Sequence, residues 1–324
     1  MASIKFNNIY IADYYSVVGP LEKNSHLKKY DLAMDDYYFG EKTLEKAEIK
    51  MQKEAINNIL NKNKLFPNDI DILIGGDLSN QIATTSFAVK DYEIPFIGVY
   101  SACAIFAESL LLGANLLSNS NFNKILTITS SHNLTAERQF RYPVEYGSQK
   151  PKTTTFTTTG SVATILTNKK SKIKIESATI GTPVDLEIKD VFNMGAVMAP
   201  SAAKVIYDHL NDLKRDISYY DLVLTGDLGC VGVNILKDYI SKVYNINILK
   251  YQDAGCLLYL DSQDTYSGGS GPVCLPLIFF NKIIKSKKYH KILIIATGSL
   301  HSPTLVNQKN SIPGIAHAIS LEVD

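Results

Sequence analysis

The stretch DILIGGDL, residues 71–78, returns as DLVLTGDL at residues 221–228. Each copy is apolar at its start and closes on Gly-Asp-Leu. Each follows a helical pattern and a polar turn, FPND at 66–69 and RDISYY at 215–220. A second pair keeps the same order: KILTITS at 124–130 returns as KILIIAT at 291–297. Apolar strands resemble one another, so a single match carries little weight. Two matches in one order, with Gly-Asp after both first members, predict a duplicated fold.

Further apolar runs surround these pairs. DILIGGD (71–77), PFIGVYS (95–101), KILTITSSH (124–132), SVATILT (161–167), DLVLTGD (221–227) and KILIIATGS (291–299) read as buried strands. TLEKAEIKMQKEAINNILNKN (43–63) reads as an amphipathic helix with Thr43 as its N-cap. Strands that are apolar throughout and alternate with helices predict an α/β protein whose sheets are covered on both faces. The polar, basic TNKKSKIK (167–174) is the expected junction, giving halves 1–170 and 171–324.

The bulk composition excludes several classes. The 324 residues carry a net charge of +1, so no long-range attraction draws the chain to nucleic acid. Cysteines stand at 103, 230, 256 and 274 without CxxC spacing, which predicts four reduced thiols rather than a zinc knuckle or redox pair. The N-terminal MASIKFNNIYIADYY lacks the unbroken apolar core of a signal peptide. No charge-free run reaches the roughly 18 apolar residues of a membrane span. The expectation is a soluble chain, or a peripheral one if it works at a membrane.

GVYSACAIFAESLLLGANLL (98–117) places Cys103 at the mouth of an apolar helix whose sole charge is Glu108. Its counterpart in the second half is SGGSGPVCLPLIFFNKII (267–284), with Pro272 suited to a first helical turn. A pseudo-twofold axis would bring the two helix N-termini together. Cys103 is then either a packing residue or a thiol activated by a helix dipole. Cys230, Cys256 and Cys274 read as packing residues.

Duplicated α/β halves with a cysteine opening the first buried helix resemble the thiolase superfamily, which includes thiolases and ketoacyl synthases. GDLSNQI (76–82), SSHNLTAERQFRYPVEYGSQKP (130–151), TIGTPVDLEIKDVFNMGAVMAP (179–200), GGSGPVC (268–274), ATGSLHSP (296–303) and IPGIAHAISLE (312–322) resemble one branch of it, the stage V sporulation protein AD family. The likeness runs from about residue 8 to the end of the chain. It implies a thiolase-like fold of two similar halves with mixed sheets around two buried helices. It also implies binding of dipicolinic acid (pyridine-2,6-dicarboxylate) for uptake into the developing spore, possible company of calcium, and membrane proteins of the same complex as partners. The implied location is the inner membrane of the forespore or spore, held peripherally.

Measured against the superfamily, the catalytic set is incomplete. A condensing enzyme needs an ionised cysteine, plus a histidine and a second polar group around an oxyanion. Cys103 meets the first requirement. The histidine position maps onto the run around Asp227, and the second polar position onto Gly269-Ser270-Gly271. His301 matches no catalytic histidine of the superfamily. The expectation is a non-enzyme, with acyl transfer by Cys103 as the alternative and a purely structural adaptor as a third reading.

A flat aromatic dianion needs donors for two carboxylates and a slot for a ring. The mouths of the two buried helices, at Cys103 and at Ser270–Gly271, supply backbone N–H groups. Asp227 is the candidate for a hard cation entering with the ligand, while Asp77 is expected to cap a strand-end turn. Ser299 and His301 follow the last copy of the repeat. In the long polar loop, His132 and Arg141 are candidate donors, with Arg138 beside them, and Tyr142 and Tyr146 are candidates to stack on the ring. That loop is otherwise expected to build a homodimer interface. Asn193 is expected to cap a helix.

Overall fold

The fold is taken from a computed structural model, which describes residues 2–27, 29–141 and 150–324. The first half contributes β1 (Ser3–Lys5), β2 (Tyr10–Val18), β3 (Leu32–Ala33), β4 (Ile72–Gly76), β5 (Phe96–Gly98), β6 (Lys124–Ser131), β7 (Phe156–Thr157) and β8 (Gly160–Thr167). The second contributes β9 (Ile173–Thr179), β10 (Leu222–Thr225), β11 (Tyr251–Asp253), β12 (Gly269–Ser270), β13 (Lys291–Ser299) and β14 (Gly314–Val323). Helices α1 (Pro20–Lys23), α2 (Leu44–Lys62), α3 (Ala83–Val89), α4 (Ile105–Asn119) and α5 (Asn133–Phe140) lie in the first half. Helices α6 (Met194–Leu213), α7 (Gly229–Tyr244), α8 (Ala254–Leu258), α9 (Cys274–Ile278) and α10 (Pro303–Asn307) lie in the second.

The main strands run side by side in the order β11-β10-β13-β14-β9-β2-β8-β6-β4-β5. Each half therefore shows one topology. Its second long strand pairs in parallel with a short edge strand and with the following strand, β4 with β5 and β6, and β10 with β11 and β13. Two antiparallel neighbours complete each set, β8 and β2 or β14 and β9. The sets join where β2 meets β9, antiparallel, at Tyr10–Lys174 and Ile11–Ile173.

Side-chain parity repeats as well. Successive strand residues face opposite sides of a sheet. In the first copy Ile72 and Ile74 enter the central core while Leu73 packs under α2. In the second, Leu222 and Leu224 enter the central core while Val223 packs under α6 and α7. The central core is built around α4 and α9, whose apolar residues are buried on nearly all sides.

Several local expectations hold. The Oγ1 of Thr43 accepts the N–H of Lys46 at 3.3 Å, and the Oδ1 of Asn193 accepts that of Ala196 at 3.3 Å. Asp77 caps its turn, accepting the N–H groups of Ser79 at 2.6 Å and Thr85 at 2.7 Å. Glu108 meets the Ser101 hydroxyl, which donates to it at 2.6 Å.

Cys103 stands at the mouth of α4, on a 3₁₀ turn, Ala102–Ala104, that leads into it. Other expectations are corrected. The second buried helix starts at Cys274, with Pro272 in the turn before it. Cys230 and Cys256 are not free thiols but face each other as a disulfide pair, Cα atoms 5.4 Å apart. The segment Ala102–Asn119 is long and apolar enough to cross a membrane, but it forms the centre of the packed core, where an apolar helix finds its partners within the protein.

Candidate functional site

Two glycines permit the site. Gly298, near the end of β13, lets the Cys103 turn lie against the strand: a Cβ there would sit 2.3 Å from the carbonyl oxygen of Ser101 and 3.2 Å from the amide nitrogen of Ala104. Gly271 has φ +99°, in the region where glycine is at home, and a Cβ would sit 2.9 Å from the Ser131 hydroxyl. That conformation aims its N–H at Asp227, which accepts it at 3.0 Å.

Asp227 follows the end of β10 and is buried. Its other oxygen accepts the Thr297 hydroxyl of β13 at 2.6 Å. The Cys103 thiol lies beside the same carboxyl. The two helix mouths anticipated from the repeat thus meet, and Asp227 ties them together.

Cys103 and Asp227 line a cavity of about 50 Å³. Phe140, Arg141, Met194, Met198, Ser299 and His301 line it too. The Phe140 and His301 rings lie 5.3 Å apart at 34°. The cavity holds polar atoms in want of a partner: the Ser299 hydroxyl, His301 Nδ1, Arg141 Nε and the Thr155 hydroxyl are buried and make no hydrogen bond among the described residues. Buried polar groups are nearly always satisfied, so a group of orphans around one cavity marks a place for a polar guest.

The electrostatics follow from burial. Asp227 is pushed up to about 7, chiefly by desolvation, with the nearby Asp253 adding to it and the donors from Thr297, Cys103 and Gly271 opposing it. The Cys103 thiol is pushed well above its ordinary value by desolvation and then by Asp227. The helix-mouth thiolate anticipated from the sequence is therefore disfavoured: burial and a neighbouring carboxyl outweigh any dipole. His301 is lowered to about 4 by desolvation and by Arg141, and is neutral at physiological pH. Arg141 is paired with Glu137, which also accepts Lys150 at 2.6 Å.

Of the residues anticipated, Cys103, Arg141, Asp227, Ser270, Ser299 and His301 line this one cavity, and Gly271 borders it through its N–H. His132 does not line it. Its ring is buried beside α5, with Nε2 2.9 Å from the Tyr37 carbonyl. Arg138 pairs with Glu45 at the surface. Tyr142 and Tyr146 lie outside the described residues. At Asp227, the candidate for a hard cation, both oxygens already accept N–H or O–H donors, and no three His, Cys, Asp or Glu side chains are grouped for a metal among the described residues. A calcium ion takes about six to eight oxygen ligands.

Sequence reasoning passed over Phe140, Thr155, Met194 and Met198. The two methionines were legible as an i, i+4 pair opening a helix, a spacing that places both on one face.

The chain matches the family described as stage V sporulation protein AD over residues 2–322. It is 40% identical over 318 residues to Stage V sporulation protein AD of Bacillus subtilis (strain 168), covering 97% of this chain and 94% of that protein. Among solved structures it resembles 3-oxoacyl-[acyl-carrier-protein] synthase III from Aquifex aeolicus VF5, with TM-score 0.54, 14% identity and 99% of each chain covered. An OleA variant from Xanthomonas campestris gives TM-score 0.62 at 12% identity, covering 98% of this chain and 99% of that one. At such identities the likeness establishes the thiolase-like fold and nothing about activity.

Proposed function

The chain belongs to the stage V sporulation protein AD family, and from that premise we propose that its cavity binds dipicolinic acid, without catalysis, for uptake into the developing spore. The observation that carries this reading is the group of buried polar atoms at Ser299, His301, Arg141 and Thr155, without partners among the described residues, around a cavity lined also by aromatic and thioether groups. Arg141 Nε, the Gly271 turn and the hydroxyls suit carboxylate oxygens. Phe140, His301, Met194 and Met198 suit the faces of a pyridine ring.

The cavity must open to admit that ring. Its volume of about 50 Å³ is well short of the about 150 Å³ that accommodates a benzene molecule. Met194, Met198 and Phe140 are the groups whose rotamers give way, the thioethers most easily.

The acyl-transfer alternative is less well supported. A nucleophile should be a thiolate, and both burial and Asp227 hold Cys103 as a thiol. The neutral imidazole in the cavity lining belongs to His301, at a position unlike the superfamily's base.

We include a homodimer in the proposal. Edge strand β5 has no strand on its outer side among the described residues and carries exposed Ile97, with exposed Tyr100 and Phe87 nearby. An apolar, open strand edge calls for a cover, and a second copy supplies one. Peripheral attachment to membrane proteins of the same complex belongs to the same proposal and is supported by the family alone.

Calorimetric titration with dipicolinate, with and without calcium, tests the reading. Wild type should bind, and Cys103→Ala and Arg141→Ala should bind more weakly. No heat from wild type in either condition would sink the proposal, and a covalent acyl adduct on Cys103 after incubation with acyl thioesters would establish the alternative.

A further inference from the structure

Asp227 is 1% exposed and lines a cavity that the proposed ligand enters as an anion. Its surroundings bring it no positive charge. The Thr297 hydroxyl of β13 and the Gly271 N–H donate to it, and the Cys103 thiol meets it from the turn before α4. Cys274 of α9 and Asp253 at the end of β11 lie close by, and Asp253 adds a second acid. Elsewhere in the lining, Arg141 pairs with Glu137, which also accepts Lys150, and His301 is neutral. Arg141 can face one carboxylate of the ligand, but a charged Asp227 and a ligand carboxylate, both removed from water, still form a like-charge pair in which Asp227 has no cation of its own among the described residues. That arrangement is expensive in a low-dielectric interior, and a proton on one member removes it.

We propose that the cavity takes its aromatic dicarboxylate together with one proton from solvent, which comes to rest on Asp227. This deepens the dipicolinate reading and rests on it. The balance is simple: a proton leaves water or buffer, an O–H bond forms on the Asp227 carboxyl, and no bond of the ligand changes. The protonated carboxyl changes from a repelling group into a hydrogen-bond donor toward the ligand. The pair Cys103–Asp227 then presents two neutral donors where a condensing enzyme would present a nucleophile.

The test is titration of the full chain with dipicolinate at fixed pH in phosphate, HEPES and Tris buffers, whose ionisation enthalpies differ. The slope of observed heat against buffer enthalpy counts protons taken up. With Asp227 titrating at about 7, uptake should approach one proton at pH 8 and fall towards zero at pH 6. Affinity should drop by close to tenfold per pH unit above that midpoint. Asp227→Asn should abolish uptake, flatten the pH dependence and bind more tightly than wild type at pH 8. Thr297→Val provides a second variant if Asp227→Asn does not fold. It removes a donor that favours the charged carboxyl, so the midpoint of uptake should move to higher pH. Binding without uptake by wild type at pH 8, uptake persisting in Asp227→Asn, or an unmoved midpoint in Thr297→Val would each overturn the proposal. Absence of any heat from wild type at every pH is a different result and overturns the ligand itself.

Discussion

Cys103 and Asp227 come from opposite halves of the chain and meet in the lining of one cavity, the carboxyl beside the thiol. The contact exists because two copies of one fold bring their central helices mouth to mouth. The effect runs in opposite directions: the carboxyl makes the thiol harder to ionise, while the thiol eases ionisation of the carboxyl against the cost of burial.

The first prediction concerns that mutual effect. Alkylation of Cys103 by iodoacetamide, followed by mass spectrometry of its peptide, should be slow at pH 7.5. Asp227→Asn removes a negative charge beside the sulfur and should speed the reaction several-fold at the same pH. Equal rates in the two proteins would mean that the carboxyl does not govern the thiol.

A second prediction follows from Gly298. Adding a methyl group places Cβ 2.3 Å from the Ser101 carbonyl oxygen, a backbone atom that has no room to retreat against β13. Gly298→Ala should cost about 1–3 kcal/mol of unfolding free energy in denaturant titration. It should also weaken dipicolinate binding by displacing Cys103. Unchanged stability together with unchanged affinity would show that the turn is not pinned by this contact.

Arg141 supports a third. Its Nε is buried without a partner among the described residues while its head group is held by Glu137, so the geometry is prepared before the ligand arrives. Loss of a charge-assisted bond of this kind should lower dipicolinate affinity by about tenfold to a hundredfold in Arg141→Ala. Arg141→Lys should not restore it, because an ammonium group cannot hold Glu137 and present a second planar N–H together. The idea fails if Arg141→Ala binds as wild type does.

The fourth prediction is a pH dependence of stability. Glu22 is pushed up to about 7 by burial, against donors from Tyr259 and Thr159, and Glu48 to about 8 by burial and the charge of Asp77. An acid whose folded value lies above its unfolded value holds its proton more tightly when folded. Stability present at acid pH is therefore lost as pH rises through about 7 and 8. Unfolding free energy should decline from pH 5 to pH 8.5, and Glu48→Gln should shrink the decline. A curve that rises over that interval would contradict the assignment.

β2, β9 and β14 were not named as strands, but the duplication, the six strands named from their apolar runs and the family were legible in the sequence. The reason is local: DILIGGDL and DLVLTGDL alternate residues between two buried faces, so periodicity and order survive in one dimension. The approach of Cys103 to the Ser270–Gly271 turn was also legible, since a pseudo-twofold axis follows from the repeat itself. What tertiary structure decided was charge and company. A helix mouth read in isolation promises a thiolate, yet the measure of its burial and the position of Asp227 depend on packing between halves, and they reverse the sign of the shift. His132 and Arg141 belong to one polar segment of the sequence, but the strand end and α5 send the first toward Tyr37 and the second into the cavity. Met194, Met198 and Phe140 became cavity walls because α5 and α6, far apart in the chain, close over the same space. Local pattern is set by near neighbours along the chain. Desolvation, pairing and the shape of a cavity are set by neighbours in space, and these only the folded chain supplies.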